Sequence, residues 1–145
     1  MKLRTTENLY NALIGSDRIG DYLEEQKGHL RDEMSLHEHL ETLIENTGCT
    51  KGDVIRRGEI DSSYGYQLFR GVKHPSRETV IQLAFGFALS VDEAQKLFIR
   101  ARTGTLYARD RRDSVIMFAL NKGLTMSEAN DLLYANGLRT IGSSE

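Results

Sequence analysis

The chain is predicted to be all-α on three observations. Ser, Thr or Asp followed three residues later by an acidic or polar residue recurs as a helix-start signal, strand-like alternation is absent, and one stretch with helical spacing occurs twice. About seven to nine helices in a single domain are expected. An acidic helical extension spans 1–34, a helical core 35–103, and a C-terminal hairpin over 104–145 repeats the hairpin before it.

The elements follow in order. Leu9, Leu13 and Tyr10 make an apolar stripe before Gly15, and Ile19, Tyr22 and Leu23 make another before Gly28. Ser35 with Glu38 opens a stronger helix carrying Leu36, Leu40, Leu43 and Ile44, closed by Gly48. Next comes TKGDVIRRGEIDSSYGYQLFRGVKHPS from Thr50 to Ser76, which reads as two short helices around a tight turn. Thr50 stands as an N-cap answered by Asp53, and the helix carries Val54 and Ile55 inward before Gly58 ends it. Glu59 and Ile60 form the bend, with Ile60 as its buried plug. Asp61 or Ser62 caps the second helix, whose Leu68 and Phe69 face the body, and Gly71 stops it as a left-handed C′ residue. Pro75-Ser76 then starts another helix.

Residues 77–101 align without a gap on 112–136, a period of 35. Arg77, Val80, Ile81, Ala84, Leu89, Glu93, Ala94 and Leu97 recur as Arg112, Val115, Ile116, Ala119, Leu124, Glu128, Ala129 and Leu132. Most are apolar or caps, so what repeats is a packing unit of helix, turn and capped helix, with Ser90/Glu93 and Thr125/Glu128 as matching capping boxes. Such a period is what stacked helical hairpins show, although two copies are too few for a solenoid. In the connection RTGTLYARDRRDS, Leu106 and Tyr107 are expected to pin the loop. Arg109, Arg111 and Arg112 interleave there with Asp110 and Asp113. They read as local ion pairs at a helix start, with a second phosphate contact or a seat for an acidic partner as the functional alternative.

Composition excludes several classes. At 39% apolar and 28% charged, the 145 residues suit a globular protein. No apolar run approaches the ~18 residues of a membrane span, and the amino terminus lacks a leader-like apolar stretch, so the cytoplasm is the expected location. The single cysteine, Cys49, has no internal disulfide partner and reads as a small packing residue. Net charge is −2, but its distribution is uneven. Residues 1–48 hold five Lys/Arg against ten Asp/Glu, residues 49–112 twelve against seven, and residues 113–145 two against four. The basic third contains the helix pair, with Arg56, Arg57, Arg70, Lys73, His74 and Arg77 in or beside it, as phosphate contacts require. No enzyme, metal or cofactor is expected. The four histidines, His29, His37, His39 and His74, show no zinc-ligand spacing, since His37 and His39 point about 200° apart on a helix, and no nucleophile elbow or phosphate-cradling loop occurs.

From Leu36 to Glu93 these residues resemble the Xre/Cro-type helix-turn-helix family, the class of many phage repressors and bacterial regulators. Thr50-Lys51 holds the place of the family's Ser/Thr-Gln helix opening, Arg70-Gly71 its polar-Gly ending, and Pro75-Ser76 with Leu83-Ala84 its next helix. Leu89 to Glu93 matches its Leu-Ser/Thr-x-x-Glu start. Where the family buries a branched aliphatic side chain in mid-helix, this chain has Gly65, which leaves a hole unless a neighbour fills it. Phe69 stands where the family often has a polar residue.

The resemblance implies a five-helix repressor-like core and a transcriptional regulator that binds double-stranded DNA as a homodimer. The helix at 62–70 would enter the major groove. It further implies that Ser62, Ser63 and Gln67 face bases with Tyr64 beside them, and that Thr50, Lys51, Arg70 and Lys73 meet the backbone. Gln67 can pair bidentately with adenine. Tyr64 and Tyr66 can stack, touch phosphate or pack on a partner. The alternative is an antitoxin-like or adaptor protein gripping another protein through Tyr64, Tyr66 and Phe69. The extension over 1–34 is left to dock on the core, pair subunits or cover the basic surface of another subunit.

Overall fold

Helix starts are set by local cap chemistry, because the first N–H groups of a helix lack partners within it. A computed structural model describes residues 5–25 and 34–142, and these are all-helical, with no strand among them. Thr5 caps α1 (Thr6–Ile14), and α2 (Ile19–Glu25) follows. Ser35 caps α3 (Leu36–Thr47), Thr50 caps α4 (Lys51–Arg57), and Asp61, not Ser62, caps α5 (Ser62–Phe69). Ser76 caps α6 (Arg77–Gly86), Ser90 caps α7 (Val91–Ala101), Asp110 caps α8 (Arg111–Asn121), and Thr125 caps α9 (Met126–Ala135). Both expected capping boxes are complete, with Glu93 and Glu128 accepting the N–H of Ser90 and Thr125. Those bonds hold both carboxyls below the usual carboxylate range. Gly28 and His29 lie outside the described residues. No helix among the described residues is long and apolar enough to cross a membrane.

The chain divides into one unit up to Glu33 and another from Met34. In the first, α1 and α2 pack together, and the buried Tyr22 donates its hydroxyl to the Leu9 carbonyl at 3.4 Å. Leu13, Tyr10, Ile19 and Leu23, read as stripe residues, are exposed there.

The second unit has one hydrophobic core running from Leu40 of α3 to Ile141 beyond α9, so the last hairpin shares its interior with the helices before it. α4 crosses α6 at two glycines. A Cβ on Gly58 would stand 2.6 Å from the Gln82 carbonyl oxygen, and one on Gly86 would collide with the Val54 carbonyl. Only glycine permits so close an approach of two backbones.

The repeated hairpins α6–α7 and α8–α9 pack as two similar units. They face each other through a pseudo-twofold contact, in which residue i of one copy meets residue j of the other and the reverse also holds. Arg77 of α6 reaches both carboxylate oxygens of Asp113 in α8 at 3.2 and 2.6 Å, while Arg112 of α8 reaches both of Glu78 in α6 at 3.1 and 2.5 Å. Each arginine also donates to two carbonyls in the tail of its own copy, Gly104 and Thr105 for Arg77, Arg139 and Thr140 for Arg112. The acids complete the exchange. Asp113 accepts the Tyr107 N–H at 2.9 Å, and Glu78 accepts the Gly142 N–H at 3.0 Å. Gln95 clamps both backbone groups of Leu106, and Asn130 does the same for Ile141, again 35 residues on.

The pairs are therefore long-range, correcting the expectation of local pairing among Arg109, Arg111, Arg112, Asp110 and Asp113. Burial works to raise the Glu78 carboxyl, but Arg112, the Gly142 N–H and Arg139 together outweigh it and leave it lowered.

Candidate nucleic-acid interface

The candidate site is the α4–turn–α5 segment. Thr50 Oγ1 accepts the Asp53 N–H at 3.0 Å, and that hydroxyl, with Arg56, holds the Asp53 carboxyl below its ordinary value. In the turn Glu59 takes a left-handed conformation (φ 52°), the Ile60 N–H bonds the Ile55 carbonyl, and the Ile60 side chain is buried as the plug expected from sequence. Asp61 Oδ2 then accepts the Tyr64 N–H at 3.0 Å. The far end of α5 closes on Gly71 (φ 77°), with Gly71 and Val72 N–H groups returning to Leu68 and Gln67 carbonyls, the 5→2 and 6→1 pattern of a Schellman close. His37 of α3 packs against that glycine, where a Cβ would come within 3.3 Å of its ring.

The inner face of α5 is locked by packing. Leu68 and Phe69 are 2% and 0% exposed, and Phe69 makes an edge contact with Phe87. Gly65 leaves no hole, because the Ile55 side chain fills the space. A Cβ there would lie 2.6 Å from Ile55 Cγ1.

The outer face carries four of the eight expected contact residues. Ser62, Ser63 and Arg70 are exposed and Gln67 is half-buried beside them. Tyr66 lies among them at 42% exposure, with its hydroxyl 3.3 Å from where a Gly52 Cβ would be, so it spans from α5 towards the start of α4. Its spacing of three and four residues from Ser63 and Ser62 places Tyr66 on their face. Tyr64 is turned inward, half-buried against the core.

The cations divide into paired and unpaired. Lys51 is held by Glu41 at 3.0 Å and stands over the Phe69 ring. Arg56 pairs with Asp53, and Arg57 donates to the Asp53 carbonyl and to Cys49 Sγ at 3.1 Å, which fits Cys49 as a packing residue. His74 Nε2 donates to the Ala101 carbonyl at 2.8 Å, and Arg77 belongs to the repeat contact, so both are engaged within the fold. The side chains of Arg70 and Lys73 are exposed and have no partner among the described residues. Among those residues no cluster of His, Cys, Asp and Glu is placed to hold a metal ion.

Compared with protein-family models, curated proteins and solved structures, the chain matches none.

Proposed function

We propose that this protein is a sequence-specific double-stranded DNA-binding regulator of the Xre/Cro helix-turn-helix type, with α3–α7 as its five-helix core and α5 lying in the major groove. The observation that carries the reading is the division of α5. One face is anchored by Leu68, Phe69 and the Gly65–Ile55 contact, while the other presents Ser62, Ser63, Tyr66 and Gln67, followed by the unpaired Arg70 and Lys73. A rigid, outward, polar helix ending in free cations is what reading base edges and holding phosphates requires. In this arrangement Gln67 discriminates bases, the two serines and Tyr66 contact the groove, and Arg70 and Lys73 bind phosphate. Thr50 and the Glu41-paired Lys51 lie at the start of α4, on the side facing the backbone. Two copies would read two half-sites about 34 Å apart.

The rival reading, a protein-gripping surface of Tyr64, Tyr66 and Phe69, is weakened because Phe69 is buried and Tyr64 packs inward, leaving Tyr66 as the exposed aromatic of the three. The test is binding to the DNA flanking its own gene against random duplex over a salt range. Gln67→Ala should lower discrimination, and Lys73→Ala should weaken both and reduce the salt slope by about 1. Equal, salt-independent affinity of parent and both variants for target and random DNA would refute the assignment.

A further inference from the structure

The pseudo-twofold symmetry of the repeat exposes a difference between its halves. In the first copy Val80 and Leu83 of α6 and Leu97 and Ala101 of α7 are each 0% exposed, with α4 packed on α6 and α3 on α7. Their counterparts 35 residues on are Val115, Phe118, Leu132 and Asn136. Phe118 is 52% exposed, Asn136 is exposed, and the other two are half-buried. His74 closes the first copy by bonding the Ala101 carbonyl. Its counterpart Arg109 makes no such bond, and an open cleft of about 310 Å³ lies there, lined by Arg109, Arg111, Val115, Asn136 and Leu138 among others. Within the second unit, among the described residues, no helix packs on this face as α3 and α4 pack on the first copy.

From this we infer that the α8–α9 face is a docking site for an acidic amphipathic helix of a partner protein. The shape comes from the first copy, where the helix on α7 is α3, an amphipathic segment burying Leu40 and Leu43 and carrying Glu38, Glu41 and Glu45. Charge selects the sign. Arg109 and Arg111 border the cleft without partners among the described residues, and Lys122 stands 5.8 Å from the exposed Phe118 ring. Apolar residues of the incoming helix fill the strip from Phe118 to Leu138, and its carboxylates meet the three cations. The inference is independent of DNA binding, since α5 takes no part in it.

The test uses the full chain and a synthetic peptide with the sequence of residues 34–48 as a generic acidic amphipathic helix. Controls are a scrambled peptide and one with its glutamates changed to lysine. Saturable binding is expected, with amide shifts confined to residues 108–122 and 132–138. Affinity should fall about tenfold or more in Phe118→Glu and in Arg109→Glu/Arg111→Glu, as for loss of a central anchor. Absence of binding, equal binding of the controls, or shifts confined to α3–α5 would overturn the proposal. So would self-association abolished by Phe118→Glu, which would assign the face to a second copy, or duplex DNA shifting these residues in place of the peptide.

Discussion

Arg77→Ala is expected to destabilise the second unit by about 3 kcal/mol. Arg77 makes two bonds to Asp113 and two to the carbonyls of Gly104 and Thr105, and it lies over the Phe98 ring at 5.5 Å. The Asp113 side chain is only 6% exposed, so removing the guanidinium leaves a carboxylate in a dry site, a loss of about 3–5 kcal/mol for a buried pair. Two features reduce it. The Arg77 side chain is 34% exposed, so water can enter, and the Tyr107 N–H remains on Asp113. Urea unfolding followed by far-UV circular dichroism should show the midpoint falling by roughly 1.5 M at a typical slope of about 2 kcal/mol/M. The pair Arg77→Met/Asp113→Leu should recover most of the loss, since apolar replacement of a whole buried pair is often neutral. A loss below about 1 kcal/mol, or a double variant no better than the single, would refute the idea that this contact holds the two hairpins together.

Three other perturbations probe the packing. Gly65→Ala should destabilise by about 1–2 kcal/mol by urea unfolding, because overpacking against Ile55 exceeds the gain in helix propensity. The same change made in an Ile55→Ala background should stabilise, and an unchanged sign in both backgrounds would contradict the contact. Ala88 (φ 57°) occupies the left-handed position that its counterpart 35 residues on fills with Gly123 (φ 69°), so Ala88→Gly should raise stability by about 0.5 kcal/mol in the same assay. The Glu78 carboxyl is lowered in the folded state, so its contribution is complete above the unfolded value of about 4.3 and is lost as pH falls through the lower folded value. Glu78→Gln should therefore flatten the fall in urea midpoint below about pH 4.5, and an unchanged acid slope would count against it.

The caps, the turn and the inward face of α5 were legible in the sequence because each rests on chemistry within four residues: Thr50 on Asp53, Ile60 beside its bend, Leu68 and Phe69 one helical turn from Gly65. The partners of Arg77 and Arg112 were not, because they depend on how one copy of the repeat is turned against the other, and a period says only that the copies are alike. Gln95 and Asn130 perform one task with different residue types, so residue matching passed over them. Ile55 filling the space at Gly65 required the α4–α5 crossing, which no local pattern encodes. The place of Tyr66 was legible too, because its helical spacing from Ser62 and Ser63 puts it on the outer face.

On the proposed function, the outward face of α5 and the exposed Arg70 and Lys73 after it meet a duplex. The decisive measurement is amide shift mapping of the full chain titrated with a short random-sequence duplex in dilute buffer. Perturbations concentrated at Ser62, Ser63, Tyr66, Gln67, Arg70 and Lys73 are expected, and they should disappear as salt is raised. Perturbations centred elsewhere, or none at the lowest salt, would contradict that function.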